Sequence, residues 1–91
     1  MCSVHCLIWD TWNVAHIARH QVTPDEAEEV CHDRPLTSDT YKGRVRVVGL
    51  ALRGRMLTVI LAPTGQEGVY YPITARPADR KERRNYRKEQ P

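Results

Sequence analysis

The sequence predicts an α+β protein: a twisted antiparallel sheet of about four strands, with two N-terminal helices packed on it and a basic C-terminal helix. Three observations predict this class: a helix-starting sequence at residues 23–26, a change from helical to alternating apolar spacing after Tyr41, and basic side chains crowded near the C-terminus. With 91 residues, the chain has room for one domain, residues 1–91, whose residues 87–91 are expected to fray.

The chain is predicted to begin with a short strand followed by a helix. The apolar run at residues 4–9 is most simply a strand. Asp10 follows as an N-cap, and residues 11–20 have a helical pattern. The side chains expected to face inward from this helix are Val14, Ile17 and Ala18.

The second helix has the clearest local signal in the sequence. Thr23 is placed as its N-cap, Pro24 occupies the first helical position, and Glu26 lies where it completes a capping box. Acidic side chains fill the first turns, where the helix dipole favours them. Residues 32–39 are then expected to be a polar connection.

Alternating apolar residues predict three strands in the second half of the chain, over residues 44–52, 55–62 and 69–75. A tight turn at residues 53–54 joins the first two, and Pro72 marks the third as an edge strand or a strand leaving the sheet. Because the helices cover one sheet face, the other face is expected to be open to a partner. The arginines expected on that face are Arg44, Arg46, Arg76 and either Arg53 or Arg55.

The segment from Arg76 to Lys88 carries seven Lys or Arg side chains against two acidic ones. On a helical wheel its acidic and aromatic residues lie beside one broad basic face. Arginines on one face repel each other, and their planar guanidinium groups fit phosphate oxygens, so a polyanionic partner is indicated. A solvated basic helix is the alternative interpretation. The basic face comprises Arg80, Arg83, Arg84 and Arg87, and its neighbours are Asp79, Glu82 and Tyr86.

Charge is unevenly distributed along the chain. Residues 1–41 hold seven acidic and two basic side chains, whereas residues 42–91 hold twelve basic and four acidic ones. This asymmetry favours one surface for a polyanion and another for a different partner. No apolar run approaches the roughly 20 residues that span a bilayer, so we expect no membrane association.

The three cysteines are an odd number, which favours a reducing cytoplasm over a disulfide-stapled secreted fold. Their spacing with nearby histidines differs from standard zinc sites, so buried thiols are the preferred interpretation and neither a metal nor another cofactor is predicted. A metal or redox protein remains the third functional hypothesis. The residues that would serve it are Cys2, His5, Cys6, Cys31 and His32.

The available side chains suit RNA cleavage by attack of a 2′-hydroxyl on its own phosphate. That reaction needs orientation, stabilisation of charge on the phosphorane, and proton transfer. Arg76 and Arg83 are placed to hold the phosphate, with Arg55 as a second clamp. Proton transfer falls to Glu82, Tyr86 or His20, although an ion pair, a core anchor and a helix cap are equally open roles for these three. Further RNA-binding candidates are Arg44, Arg53, Arg80, Arg84 and Arg87.

The chain resembles the BrnT toxins of type II toxin–antitoxin systems, which have a RelE-like ribonuclease fold. The most specific feature is the pattern AR-x-A-x3-ER-x2-Y near the C-terminus, and the likeness runs from Trp9 to about Tyr86. The family commonly has Lys-His-Gly where this chain has Arg19-His20-Gln21. The other residues of this chain on which the resemblance rests are Trp9-Asp10, Asn13, Gln21-Val22, Glu26 to Val30, Gly43-Arg44, Gly49 and Gly54-Arg55-Met56-Leu57.

This resemblance implies that Arg76, Glu82, Arg83 and Tyr86 belong to the active region and that RNA is the substrate. It also implies a neutralising, BrnA-like antitoxin. The assembly expected is either a homodimer or a toxin–antitoxin hetero-oligomer. The first functional hypothesis is therefore a cytoplasmic endoribonuclease toxin. The second is a non-catalytic nucleic-acid-binding or regulatory module on the same fold, because phosphate contacts alone give sequence-independent affinity.

Overall fold

Residues 4–89, which the computed structural model describes, form five strands and three helices, in agreement with the predicted α+β class. The strands make one sheet in the order β1-β5-β4-β3-β2. In chain order the elements are β1 (Cys6–Leu7), α1 (Thr11–Ala18), α2 (Pro24–His32), β2 (Leu36–Asp39), β3 (Val45–Leu50), β4 (Met56–Pro63), β5 (Val69–Pro77) and α3 (Arg80–Glu89).

Four of the five strands are antiparallel to their neighbours, and the fifth adds a parallel edge. The short β1 runs parallel to β5, pairing Cys6 with Val69 and Leu7 with Tyr70. At the opposite edge, β2 pairs with β3. The prediction of a polar connection over residues 32–39 is therefore wrong in its second half, because an edge strand needs a partner on one side only and β2 carries few apolar side chains.

Pro72 lies where the sheet loses one of its strands. Because β1 reaches only as far as Tyr70, the following part of β5 has no strand on that side, which is where a proline is tolerated. A bulge occurs at the same place: Ile60 pairs with Thr74 and Leu61 with Pro72, leaving Ile73 as the extra residue.

Helices α1 and α2 pack on one face of the sheet and bury most of the core there. The alternation predicted for β3 is confirmed, since Val45 and Val47 face these helices. The core on this face consists of Leu7, Ile17, Val22, Ala27, Val30, Cys31, Val45, Val47, Ala51, Leu57, Val59, Leu61 and Ala75.

The predicted inward face of α1 is only partly correct. Ile17 is buried as expected, but Val14 and Ala18 are exposed and Asn13 is fully buried in their place. The Asn13 side-chain amide donates to the carbonyl oxygens of Ile8 at 2.9 Å and Pro72 at 3.2 Å. Burial of this polar side chain is tolerated because its hydrogen-bonding groups are satisfied.

Helix α3 packs on the opposite face of the sheet, which is therefore not wholly open. Its buried Tyr86 meets Val48 of β3 and Ala78, with Leu36 and Met56 packed around them. This small second core covers one end of that face and leaves the arginines of β3 and β5 partly exposed beside it.

Helix α1 ends in a Schellman-type turn. The Val22 amide donates to the Ile17 carbonyl at 3.3 Å and the Gln21 amide to the Ala18 carbonyl at 2.9 Å. Gln21 has a φ of 61°, a left-handed conformation that favours glycine. The helix predicted over residues 11–20 is therefore shorter in the structure, where α1 stops at Ala18 and the turn occupies the residues up to Val22.

We expect Gln21→Gly to stabilise the protein by about 0.5–1 kcal/mol. Glycine removes the strain of the left-handed conformation, and this gain is larger than the extra chain entropy that glycine loses on folding. Thermal unfolding should show a rise of a few degrees in Tm. Gln21→Ala is the matched control, since alanine keeps the β-carbon and should bring no gain. A lower Tm for the glycine variant would contradict this account of the turn.

Candidate nucleic-acid interface

The carboxylate of Glu82 is the centre of the polar cluster between α3 and the sheet. Glu82 as a whole residue is only 8% exposed. Arg76 donates to it through both terminal nitrogens, at 2.8 and 2.9 Å, and Thr58 donates its hydroxyl at 2.8 Å. The backbone amide of Asp79 adds a fourth hydrogen bond at 2.9 Å. One side chain thus connects β4, β5 and the start of α3.

Local sequence explains why these groups meet. Asp79 and Glu82 form a reciprocal capping box, because the Glu82 amide also donates to the Asp79 carboxylate at 2.8 Å. Thr58 and Arg76 are directly paired residues of β4 and β5, so their side chains leave the same face of the sheet. Helix α3 begins three residues after Pro77, which ends β5, and this brings Glu82 back over that pair.

Glu82 and Arg76 are both held in their ionised forms. Burial raises the pKa of Glu82, but hydrogen bonds from Arg76, the Asp79 amide and Thr58 outweigh burial and hold the pKa at about 2. The hydrogen bond to Glu82 raises the pKa of Arg76. A carboxylate with so low a pKa is a weak base, so the geometry favours a positioning role for Glu82 over proton transfer.

Arg46 on β3 lies beside the ion pair of Glu82 and Arg76, and its own charge is less closely paired than that of Arg76. Its Nε lies 3.7 Å from the Glu82 carboxylate, too far for a hydrogen bond, and has no hydrogen-bond partner among residues 4–89. The Arg46 side chain is 40% exposed. Arg76, by contrast, has both terminal nitrogens engaged by Glu82. Arg46 is therefore attracted to Glu82 by charge without a hydrogen bond, and the exposed part of its guanidinium group is open to an anion, although the Nε atom itself is buried.

A groove of about 230 Å³, here called the arginine groove, runs over the sheet face next to this cluster. Arg46 of β3, Ile60 of β4 and Thr74 of β5 are paired in register and form one row across it. The bulge in β5 lets consecutive residues Ile73 and Thr74 both reach it. Its full lining is Thr40, Tyr41, Arg44, Arg46, Ile60, Ile73, Thr74 and Arg76.

Several predicted site residues are brought to this side of the sheet. Arg44, Arg76 and Glu82 lie at or beside the arginine groove. Tyr86 is only 7% exposed and packs under α3 as a core anchor. The predicted basic face of α3 is present and lines an open surface of its own, formed by Arg80, Arg83, Arg84, Arg87 and Lys88.

Three predicted site residues lie on the helix side instead. Arg55 donates to the Gln21 carbonyl at 2.8 Å and pairs with Glu26 at 3.3 Å, while Arg53 lines a surface beside α2. His20 belongs to the turn between α1 and α2. The expectation that Arg53 or Arg55 faces the open sheet is wrong, because Arg55 shares the parity of Leu57, which points to the helices.

Of the eight residues that line the groove, only Arg44 and Arg76 are candidate site residues in the sequence analysis; Arg46 and Tyr41 are among the six that it leaves out. Alternation with Val45 and Val47 predicts Arg46 on the open face, but nothing in the sequence indicates that it lies beyond hydrogen-bond reach of Glu82. Tyr41 carried no signal, because its proximity to β5 depends on pairing between strands that are distant in sequence. The bulge that adds Ile73 was likewise invisible.

The cysteine and histidine residues are dispersed in the structure. No group of three or more His, Cys, Asp or Glu side chains within residues 4–89 is arranged to share a metal ion, and Cys2 lies outside these residues. His32 interacts with Glu28 at 3.0 Å. Burial raises the pKa of the Cys31 thiol to about 12, so this group is unreactive near neutral pH.

Comparison with models of known protein families finds no match, and no curated protein matches the chain significantly. Among the described residues, no helix combines the length and apolar character needed to cross a bilayer.

We expect the stability contributed by Glu82 to disappear on acidification. Its folded-state pKa of about 2 lies below the ordinary value of 4.5, so the contribution is complete above about pH 5 and is lost as the pH falls toward 2. The difference corresponds to roughly 3 kcal/mol at most. Denaturant unfolding of Glu82→Gln should show lower stability at pH 7 and a flatter pH dependence below pH 5.

Glu67→Gln is the matched control for this measurement, because Glu67 is an exposed carboxylate in the loop before β5. Its pH profile should follow that of the unmodified protein. An unchanged profile for Glu82→Gln would show that the carboxylate cluster does not hold α3 on the sheet.

Proposed function

We propose that this protein is a ribonuclease that binds RNA through the arginine groove and the basic face of α3. The observation that carries the proposal is the arginine groove, where Arg46, 40% exposed and 3.7 Å from its counter-ion Glu82, shares one surface with two further arginines. Arginine forks match phosphate oxygens, and an RNA backbone supplies one phosphate per nucleotide.

The reaction we propose is metal-independent attack of a 2′-hydroxyl on the adjacent phosphate. The new bond from the 2′-oxygen to phosphorus gives a 2′,3′-cyclic phosphate as the bond from phosphorus to the 5′-oxygen breaks. The 2′-hydroxyl loses its proton to solvent, and the departing 5′-oxygen takes up a proton to become a hydroxyl. Arginine side chains would stabilise the charge that develops on the phosphorane, which is the contribution that a fixed cation makes best. In this assignment Arg46 and Arg44 contact the phosphate. Glu82 keeps Arg76 in place, and Arg83 extends the positive surface along α3.

The resemblance to the BrnT family supports a biological setting for this activity. We propose a cytoplasmic toxin that is neutralised by a BrnA-like antitoxin. A neutralising partner that covers the basic face of α3 would need acidic side chains, because Arg80, Arg83, Arg84 and Arg87 are all exposed there.

A non-catalytic RNA-binding module is the second candidate. It is favoured by the state of the residues proposed for proton transfer: Glu82 is held ionised, Tyr86 is buried, and His20 lies on the other side of the sheet. Both candidates use the same phosphate contacts, so detection of cleavage products separates them.

We expect the purified protein to cut a mixed RNA pool and leave 2′,3′-cyclic phosphate ends. Arg46→Ala should reduce the cleavage rate at least about tenfold, because a hydrogen bond to a charged phosphate contributes roughly 1.5–3 kcal/mol. Arg83→Ala should also weaken cleavage. Arg46 is a cleaner choice than Arg76, whose removal would leave Glu82 as an uncompensated buried charge and destabilise the fold.

Arg53→Ala is the control, because it removes one positive charge from the helix side of the sheet. It should cut RNA like the unmodified protein. If the RNA shifts in a binding assay but stays intact, the non-catalytic module is the better description. If cutting is unaffected by Arg46→Ala, the arginine groove is not the site.

Binding should weaken steeply with salt, and Arg46→Ala should reduce the steepness. Each lost phosphate contact lowers the slope of log affinity against log salt by about 0.7 for a single strand. Fluorescence anisotropy with a labelled RNA at several salt concentrations measures this slope. Equal slopes for the unmodified protein and Arg46→Ala would place the phosphate contacts elsewhere.

A further inference from the structure

We propose that the arginine groove takes one unpaired nucleotide, with its base stacked on Tyr41 and its phosphate on Arg46 and Arg44. This inference rests on the proposed function and narrows it, because it makes single-stranded RNA the preferred ligand. It adds Tyr41 as a residue that determines specificity.

Tyr41 is strongly exposed, although its aromatic ring is apolar. The residue is 74% exposed, compared with 57% for Trp12, the other strongly exposed aromatic residue of the described chain. Within residues 4–89 its hydroxyl group has no hydrogen-bond partner. An aromatic ring left in water beside a cationic groove is the arrangement by which proteins stack single-stranded bases.

The turn that carries Tyr41 fixes its position at the groove. Tyr41–Gly43 forms a 3₁₀ turn closed by a hydrogen bond from the Arg44 amide to the Tyr41 carbonyl at 3.4 Å, and the Thr40 amide donates to the Arg44 carbonyl at 2.9 Å across its base. Lys42 within it has a φ of 64°, a conformation that a lysine adopts only at an energetic cost. Such strained positions cluster at functional sites. The strained turn directly precedes Arg44 and Arg46, so the ring and the guanidinium groups lie on one short stretch of chain.

The floor of the groove distinguishes a nucleotide from a bare anion. Ile60 and Ile73 supply apolar side chains to the same lining as Arg44, Arg46 and Arg76. A base can cover this apolar surface while its phosphate meets Arg46, whereas inorganic phosphate uses only the charges. Helical RNA keeps its bases stacked in the duplex interior, so it can offer the groove only its backbone.

The test compares single-stranded and duplex RNA of the same sequence by fluorescence anisotropy. A short 2′-O-methyl strand removes the attacking hydroxyl, so cleavage cannot consume the probe. We expect Tyr41→Ala to weaken single-strand binding about 5- to 150-fold, the range measured for loss of one stacked base. Duplex binding should stay unchanged, and Tyr41→Phe should bind like the unmodified protein because it keeps the ring.

Two further variants make the test specific. Trp12→Ala removes an exposed aromatic residue from the helix side of the sheet and should change nothing. Tyr41→Leu keeps apolar bulk without a ring, so it should lose affinity like Tyr41→Ala. It also provides the test if the alanine variant melts below the assay temperature.

The outcomes separate this inference from the proposed function. If Arg46→Ala weakens binding but Tyr41→Ala does not, or if both variants weaken duplex and single strand equally, the groove reads phosphates only and the inference is overturned. If the unmodified protein binds neither probe, the proposed function itself fails. Binding of an acidic peptide to the groove in place of RNA would overturn both.

Discussion

The hydrogen-bonded Glu82 carboxylate is the interaction on which the rest of the site depends. Helix α3 has only one large buried apolar side chain, Tyr86, so packing alone gives it little hold on the sheet. Glu82 adds bonds to Thr58 of β4 and Arg76 of β5 and closes the capping box with Asp79. Breaking this cluster would leave buried charges and donors without partners, and each of them costs more than an ordinary contact provides.

The same cluster sorts the arginines of the open face by role. Arg76 is committed to a carboxylate that stays ionised at every physiological pH, and it therefore works as part of the scaffold. Arg46 lies two strands away on β3, close enough to be attracted by Glu82 but too far to form a hydrogen bond with it. In the proposed function, this arrangement lowers the cost of binding an anion, because the arginines are already ordered when the protein folds.

The local sequence decides where each helix of this protein begins, whereas contacts with the sheet decide how each helix is oriented. Each of the three helices begins with a reciprocal capping box, formed by Asp10 and Asn13, Thr23 and Glu26, and Asp79 and Glu82. Two of these boxes also serve tertiary contacts. Asn13 donates from α1 to the Pro72 carbonyl of β5, and Glu82 gathers groups from two strands. A motif that stabilises a helix end thereby also docks that helix on the sheet.

The sequence alone determined the α+β class, the two N-terminal helices, the three long strands and the basic face of α3, because spacing and capping act over a few residues. Only the tertiary structure decided which arginines share a surface. The alternation of side chains along β4 places Arg55, the residue just before that strand, on the helix side of the sheet. The bulge in β5 brings Ile73 into the arginine groove. In α1, Asn13 is buried and Val14 is exposed. Tyr41 reaches the groove through strand pairing across about thirty residues. Such contacts follow from the register and layering of the whole sheet, which no local pattern encodes.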